Sequence, residues 1–248
     1  MNKKLIIALF LISAMNTAIA GFMNPLPSGT IKNMHIGYHD SDTITISSGY
    51  CDLLKSYVEL NSPTTLDLST IPPTDDFVYI YISYAQSSGS DPCFYDSTTE
   101  PVWEDSLQGW YSGNDRCIGA IYIESGVIKE FTNYFDKIVF KDYIVIIDDA
   151  DPPSNDWYSL DTTPFIPVNA SGVKLYGYVM AENNSSLAQI VYGDHENQQN
   201  QIHSIGLKRT SIVGWLPFQR GSERDIDYYS LGTTAVVKGR IFGYMVER

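Results

Sequence analysis

Cysteine, histidine and the basic residues are all scarce in this 248-residue chain: three Cys, four His, and 16 Lys plus Arg against 29 Asp plus Glu. The resulting charge of −13 at pH 7 disfavours phosphate backbones and anionic membranes as partners, so no nucleic acid is expected. The histidines, His35, His39, His195 and His203, lie far apart, and His195-Glu196 runs into Asn197-Gln198-Gln199 rather than a His-Glu-x-x-His zinc motif. Gly193-Asp194-His195-Glu196-Asn197 reads as a solvated loop. A Gly-x-Ser-x-Gly nucleophile turn and a phosphate-cradling glycine loop are both missing. The cysteine intervals do not form the paired short spacing of a zinc site. Neither a metal nor a cofactor is therefore expected, and no catalytic residue is assigned.

Long apolar runs are also absent, with one exception at the start. Lys3 and Lys4 precede the apolar stretch 5–12, and Ala18-Ile19-Ala20 forms a small-x-small cleavage site. This is the pattern of a secretory signal peptide over 1–20, which predicts an exported chain, periplasmic or secreted, starting at Gly21. The run falls short of the roughly 20 residues that a spanning helix needs, so no membrane insertion is expected. Removing two lysines takes the charge from −13 to −15.

Charge is unevenly placed. From Ile205 to Arg248 seven basic residues face four acids, a net of +3, whereas 21–204 carry seven basic and 25 acidic residues, a net of −18. A basic tail can pack beside an acidic body, or present a face to a polyanion. In an oxidising compartment the cysteines can pair. Cys93 and Cys117 read as strand residues flanking one connection and are the expected disulfide, leaving Cys51 over. The alternative is that all three are small buried thiols.

What the chain does have is strand signal. Thr43–Ser47 alternates with period two. Phe77–Tyr84 places aromatic and aliphatic residues on opposite faces, so both faces should be covered. Strands are predicted at 117–124, 127–131, 137–140, 143–147, 173–180, 188–192, 202–207, 211–216 and 234–246, with Glu124-Ser125-Gly126 as a hairpin connection. Only 53–60 could form a helical turn or two. The pattern predicts an all-β protein, a β-sandwich or jelly-roll in two β-rich units. The proline- and acid-rich segment 151–163 would link a unit over 21–150 to one over 164–248.

Two features suggest a binding surface. Trp103, Trp110 and Tyr111 lie near Glu104, Asp105, Asn114 and Asp115, and Trp110–Asp115 has the composition of an exposed turn. Rings beside carboxylates can stack on sugars and accept from their hydroxyls, which makes Trp103, Trp110, Tyr111, Asn114 and Asp115 the candidate ligand site. The alternative is that these rings cap the core. Asp148, Asp149 and Asp151 form the densest acid cluster, but Pro152-Pro153 interrupts any calcium loop, and a solvated turn is the expected role.

The stretch Ile44–Asp52, with Leu60-Asn61-Ser62 and Thr65–Leu68 behind it, the aromatic strand Val78–Tyr84, Arg116–Ile121, and Ser125–Phe131 together resemble a segment of tail-fibre and virion-associated proteins of tailed bacteriophages. The resemblance covers 44–140. It implies a β-rich, non-catalytic protein that binds a surface glycan or protein, with homotrimers common in such fibres. The chain departs from the pattern in its leader and in Pro72–Asp76, which replaces a glycine-rich stretch. The competing expectations are a secreted polysaccharide hydrolase using two carboxylates and a structural subunit of a surface or virion-like assembly.

Overall fold

A computed structural model describes residues 29–54, 56–68, 72, 75–89, 91–149, 156–181, 187–193, 201–207, 209–218, 226–231 and 234–247. The expected leader, His195 and Asp151 lie outside them. The described residues are all-β, built almost entirely from antiparallel strands. Among the described residues the one helical turn is the 3-10 turn Thr163–Phe165, and no helix is long and apolar enough to cross a membrane.

The first layer is built from β1 (Ile31–Lys32), β2 (Ile36–Tyr38), β3 (Thr43–Ile46), β4 (Gly49–Leu53), β5 (Ser56–Leu60) and β6 (Thr64–Asp67), in two three-stranded sheets. The second contains β7 (Asp76–Ile82), β8 (Phe94–Ser97), β9 (Val102–Glu104), β10 (Gly109–Ser112), β11 (Asp115–Glu124) and β12 (Val127–Ile128), ordered β8-β7-β11-β10-β9 with β12 folded back on β11. The rest comprises β13 (Phe131–Tyr134), β14 (Lys137–Asp149), β15 (Asp156–Leu160), β16 (Ala170–Ala181), β17 (Leu187–Gly193), β18 (Ile202–Leu207), β19 (Arg209–Pro217), β20 (Ile226–Leu231) and β21 (Thr234–Val246). These form a five-stranded sheet, β13-β14-β21-β16-β19, and a four-stranded one, β15-β20-β17-β18.

β7 and β11 hold the layers together because both their faces are buried. Val78, Ile80 and Ile82 alternate with Phe77, Tyr79 and Tyr81 along β7, so the two sets face opposite ways. The aromatic side meets the five-stranded sheet. The Phe77 ring lies 5.6 Å from that of Tyr244, and the Tyr244 hydroxyl donates to the carbonyl of Ala120 at 2.8 Å. On the aliphatic side, Gly119 lies against the Ile36 side chain, with no room between them for a Cβ. The two-faced reading of this strand therefore holds. So does the hairpin after β11: Ser125 and Gly126 both have positive φ, 54° and 78°, as a tight two-residue turn requires.

Three expectations are corrected. The segment 53–60 has no helical turn but is the hairpin β4–β5, because Tyr50, Asp52 and Leu53 pair with Glu59, Tyr57 and Ser56. The expected linker 151–163 contains β15, which pairs with β20 over its whole length. The five-stranded sheet takes β13 and β14 from before that segment and β16, β19 and β21 from after it, so ladder hydrogen bonds join the two expected units. In addition, 137–140 and 143–147 merge into the one irregular strand β14, whose register shifts between Val139 and Ile144.

The Cys93–Cys117 bridge is not formed; all three thiols are free. Cys117 pairs with Tyr81 on one side of β7, while Ser83 of the same chain segment donates to the Cys93 carbonyl on the other. A strand lies between them. Two inter-strand steps span about 10 Å, beyond the roughly 7 Å that a disulfide can bridge. Cys117 instead donates weakly to the Gly119 carbonyl at 3.4 Å, and burial pushes its thiol up to about 12.

Candidate binding face

The aromatic segment between Tyr95 and Arg116 is not a solvated loop. Trp103 pairs with Trp110 across the β9–β10 hairpin, their rings edge to face at 5.7 Å. Trp110 is 5% exposed and Tyr111 1%. Tyr111 covers the guanidinium of Arg116, 4.9 Å from its ring centre. Arg116 is fully buried and donates to the carbonyls of Gly29 at 2.9 Å and Gln108 at 3.5 Å. Gly109 is required beside it, since a Cβ there would overlap the guanidinium. Burial raises the Tyr111 phenol, and Arg116 opposes that rise only in part.

Two of the four expected acceptors are also engaged. Asp105 takes the indole N–H of Trp103 at 2.8 Å. Asp115 takes the Tyr84 amide and the Tyr95 hydroxyl, both at 2.7 Å. Burial and this carboxylate together raise the Tyr95 phenol above its ordinary range. Within Trp110–Asp115 the exposed residues shrink to the turn Gly113-Asn114, while Val102, Glu104, Asp105, Ser106 and Gln108 of the β9–β10 hairpin also reach water. Of the five expected site residues, Trp110 and Tyr111 belong to the core, Asp115 to its hydrogen bonding and Trp103 to its rim; Asn114 remains outside.

A different surface gathers the chemistry expected of a binding site. In the five-stranded sheet, Val173, Leu175, Val179, Ile241 and Tyr244 point into the core. Period-two alternation then puts Lys174, Tyr176, Tyr178 and Met180 of β16 on the opposite face. The register sets Tyr176 beside Val213 and Arg240, Tyr178 beside Ser211 and Lys238, and Lys174 beside Trp215 and Gly243. On β14, Val145 lies opposite Arg240 and Asp148 opposite Lys238.

At the centre of this face is Arg240. Its guanidinium lies 3.8 Å from the Tyr143 ring centre and 5.9 Å from that of Tyr176. Phe242 contacts both tyrosines, at 5.8 and 6.4 Å between ring centres. Nearby, the Lys137 ammonium sits 5.4 Å from the Trp215 ring. Lys238 pairs with Asp148 at 2.9 Å. Among the described residues, Lys137, Lys174, Arg209 and Arg240 have no carboxylate partner. Tyr143 is 38% exposed and Val213 61%, so the face is open to water.

Asp148 thus belongs to an ion pair on this face. Among the described residues no cluster of three or more His, Cys, Asp or Glu could hold a metal ion.

No protein-family model, no curated protein and no solved structure matches this chain.

The sequence reading missed this face, although part of its signal was present. Lys174-x-Tyr176-x-Tyr178 and Lys238-x-Arg240-x-Phe242 both alternate with period two, the first within the acidic part of the chain and the second in the basic C-terminal region. What the sequence lacked was the pairing that brings Tyr143, from the acidic part of the chain, onto Arg240.

Proposed function

We propose that this chain is an exported, non-catalytic binding protein, and that the outer face of the five-stranded sheet takes up a surface glycan. The observation that carries the reading is the cluster of exposed Tyr143 and half-buried Tyr176 and Phe242 around Arg240. Sugar rings present flat C–H faces that pack on aromatic rings, and a guanidinium donates to hydroxyl, carboxylate or phosphate oxygens. A sheet face is a rigid platform, so little order is lost when a ligand settles on it. The resemblance to phage tail-fibre proteins points the same way, toward recognition of a cell-surface polymer. The hydrolase reading draws no support from this face. Its acid, Asp148, is engaged with Lys238 at 2.9 Å.

A glycan array combined with a reducing-sugar assay tests the proposal. Binding without release of reducing ends is expected, weakened in Tyr176→Ala with the melting temperature little changed. Turnover that disappears on changing one Asp or Glu would overturn it in favour of the hydrolase.

A further inference from the structure

Resting on that reading, we infer that the glycan is polyanionic: a polymer bearing carboxylate, phosphate or sulfate groups, lying across β14, β21, β16 and β19. The chain as a whole carries −13 and would repel such a polymer. The face is a local exception. Its outward positions hold Lys137, Lys174, Arg209, Lys238 and Arg240, and the acid at an outward position in register with them, Asp148, neutralises only Lys238.

The arrangement suits a chain of charges better than one anion. Along β16, Lys174 to Met180 spans about 20 Å, at roughly 3.4 Å per residue. The cations are spread over that length and alternate with Tyr176, Tyr178, Phe242 and Trp215. An extended polysaccharide can set a ring on an aromatic and its acidic substituent on the neighbouring cation, then repeat the contact one row on. Arg240 is held in place by the two tyrosine rings rather than by an acid, so its N–H groups remain for a ligand.

Two other occupants are excluded by the same experiment. A second copy of this chain could place its acidic body on the face, and a nucleic acid could use the same cations and rings.

The test compares binding of polygalacturonate with its fully methyl-esterified form, which keeps the sugar rings and removes the charge. The full-length secreted protein is used, with single-stranded DNA of equal charge as a third probe. Polygalacturonate should bind at least about tenfold more tightly than the ester, the scale of one charge-assisted hydrogen bond. Affinity should fall steeply between about 0.1 and 1 M salt, as the screening length drops from about 10 to 3 Å. Arg240→Gln and Lys174→Gln should each remove much of that preference, whereas Lys32→Gln, on the separate sheet of β1, β4 and β5, should not.

Equal, salt-insensitive binding of both polysaccharides would overturn the inference while leaving glycan binding standing. Binding of neither would overturn both. DNA bound as tightly as polygalacturonate would also overturn the inference, as would an oligomer that dissociates in Arg240→Glu without any change in polysaccharide binding. Melting curves of each variant separate a lost site from a lost fold.

Discussion

Arg116 and Arg240 both meet tyrosine rings, under opposite conditions. Arg116 is fully buried beneath Tyr111, and its donors are spent on the backbone carbonyls of Gly29 and Gln108. Arg240 lies between Tyr143 and Tyr176 on an open sheet face, with no carboxylate partner among the described residues. The first pair ties the segment ahead of β1 to the central sheet; removing it would withdraw the 2.9 Å donor from the buried Gly29 carbonyl. The second holds a charge ready where water, or a ligand, can reach it. The same residue types thus serve stability in one region and recognition in the other, and burial decides which.

The sharpest way to break this contrast is to remove a ring from each region. Trp110→Ala takes a buried indole from beside Trp103 and should cost about 3–5 kcal/mol, read as a lower urea midpoint. Were it to leave stability intact and abolish glycan binding, the ligand site would belong to the β9–β10 hairpin after all.

Alkaline titration probes the buried region as a whole. Burial raises the phenols of Tyr81, Tyr95, Tyr122 and Tyr244 above the ordinary value of 10.0. Groups held protonated by folding contribute their stability in full below pH 10, and that contribution is lost as pH rises beyond it. The protein should therefore unfold above about pH 10, with tyrosinate absorbance and loss of structure rising together. Tyrosinate absorbance completed before any unfolding would show that these rings are open to solvent.

On the outer face, Tyr176→Ala removes cross-strand contacts with Arg240 and Val213. It should lower stability by only about 0.2–1 kcal/mol, measured by the same urea titration. A loss as large as that of Trp110→Ala would make the outer rings part of the core. The smallest effect is expected from Asp148→Asn, which breaks an ion pair that is well exposed to water and worth about 0–1 kcal/mol. If the face binds polyanions, this variant should bind them more tightly, because it removes a negative charge from the face.

Much of the fold was legible in the pattern of residues. The strands 202–207 and 234–246 and the two-faced character of β7 follow from alternation, because side chains of a strand point to opposite sides in turn. The hairpin at Ser125-Gly126 follows from turn chemistry. The short strands β1, β2, β8, β9 and β10 escaped notice, since two to four residues hold too little alternation to register. Tyr50, Asp52 and Tyr57 look as compatible with a helical turn as with a hairpin, and only the partner strand β1 and the layer above resolve it.

The candidate site was less legible, for a physical reason. Composition announces that aromatic and charged residues are present, but not which of them water reaches. Trp110-Tyr111-Ser112-Gly113-Asn114-Asp115 has the makeup of an exposed turn, yet Trp110 and Tyr111 lie in strand β10, paired between β9 and β11, and both rings are buried. By itself, the sequence determined the all-β class, the covered central strand and the contrast between an acidic body and a basic C-terminal region. The tertiary structure alone decided that Cys93 and Cys117 lie across β7 from one another, that the five-stranded sheet draws on both halves of the chain, and that Tyr143 and Arg240 meet. Each of these is a matter of register between strands far apart in sequence, and register is set by the whole core rather than by any local run of residues.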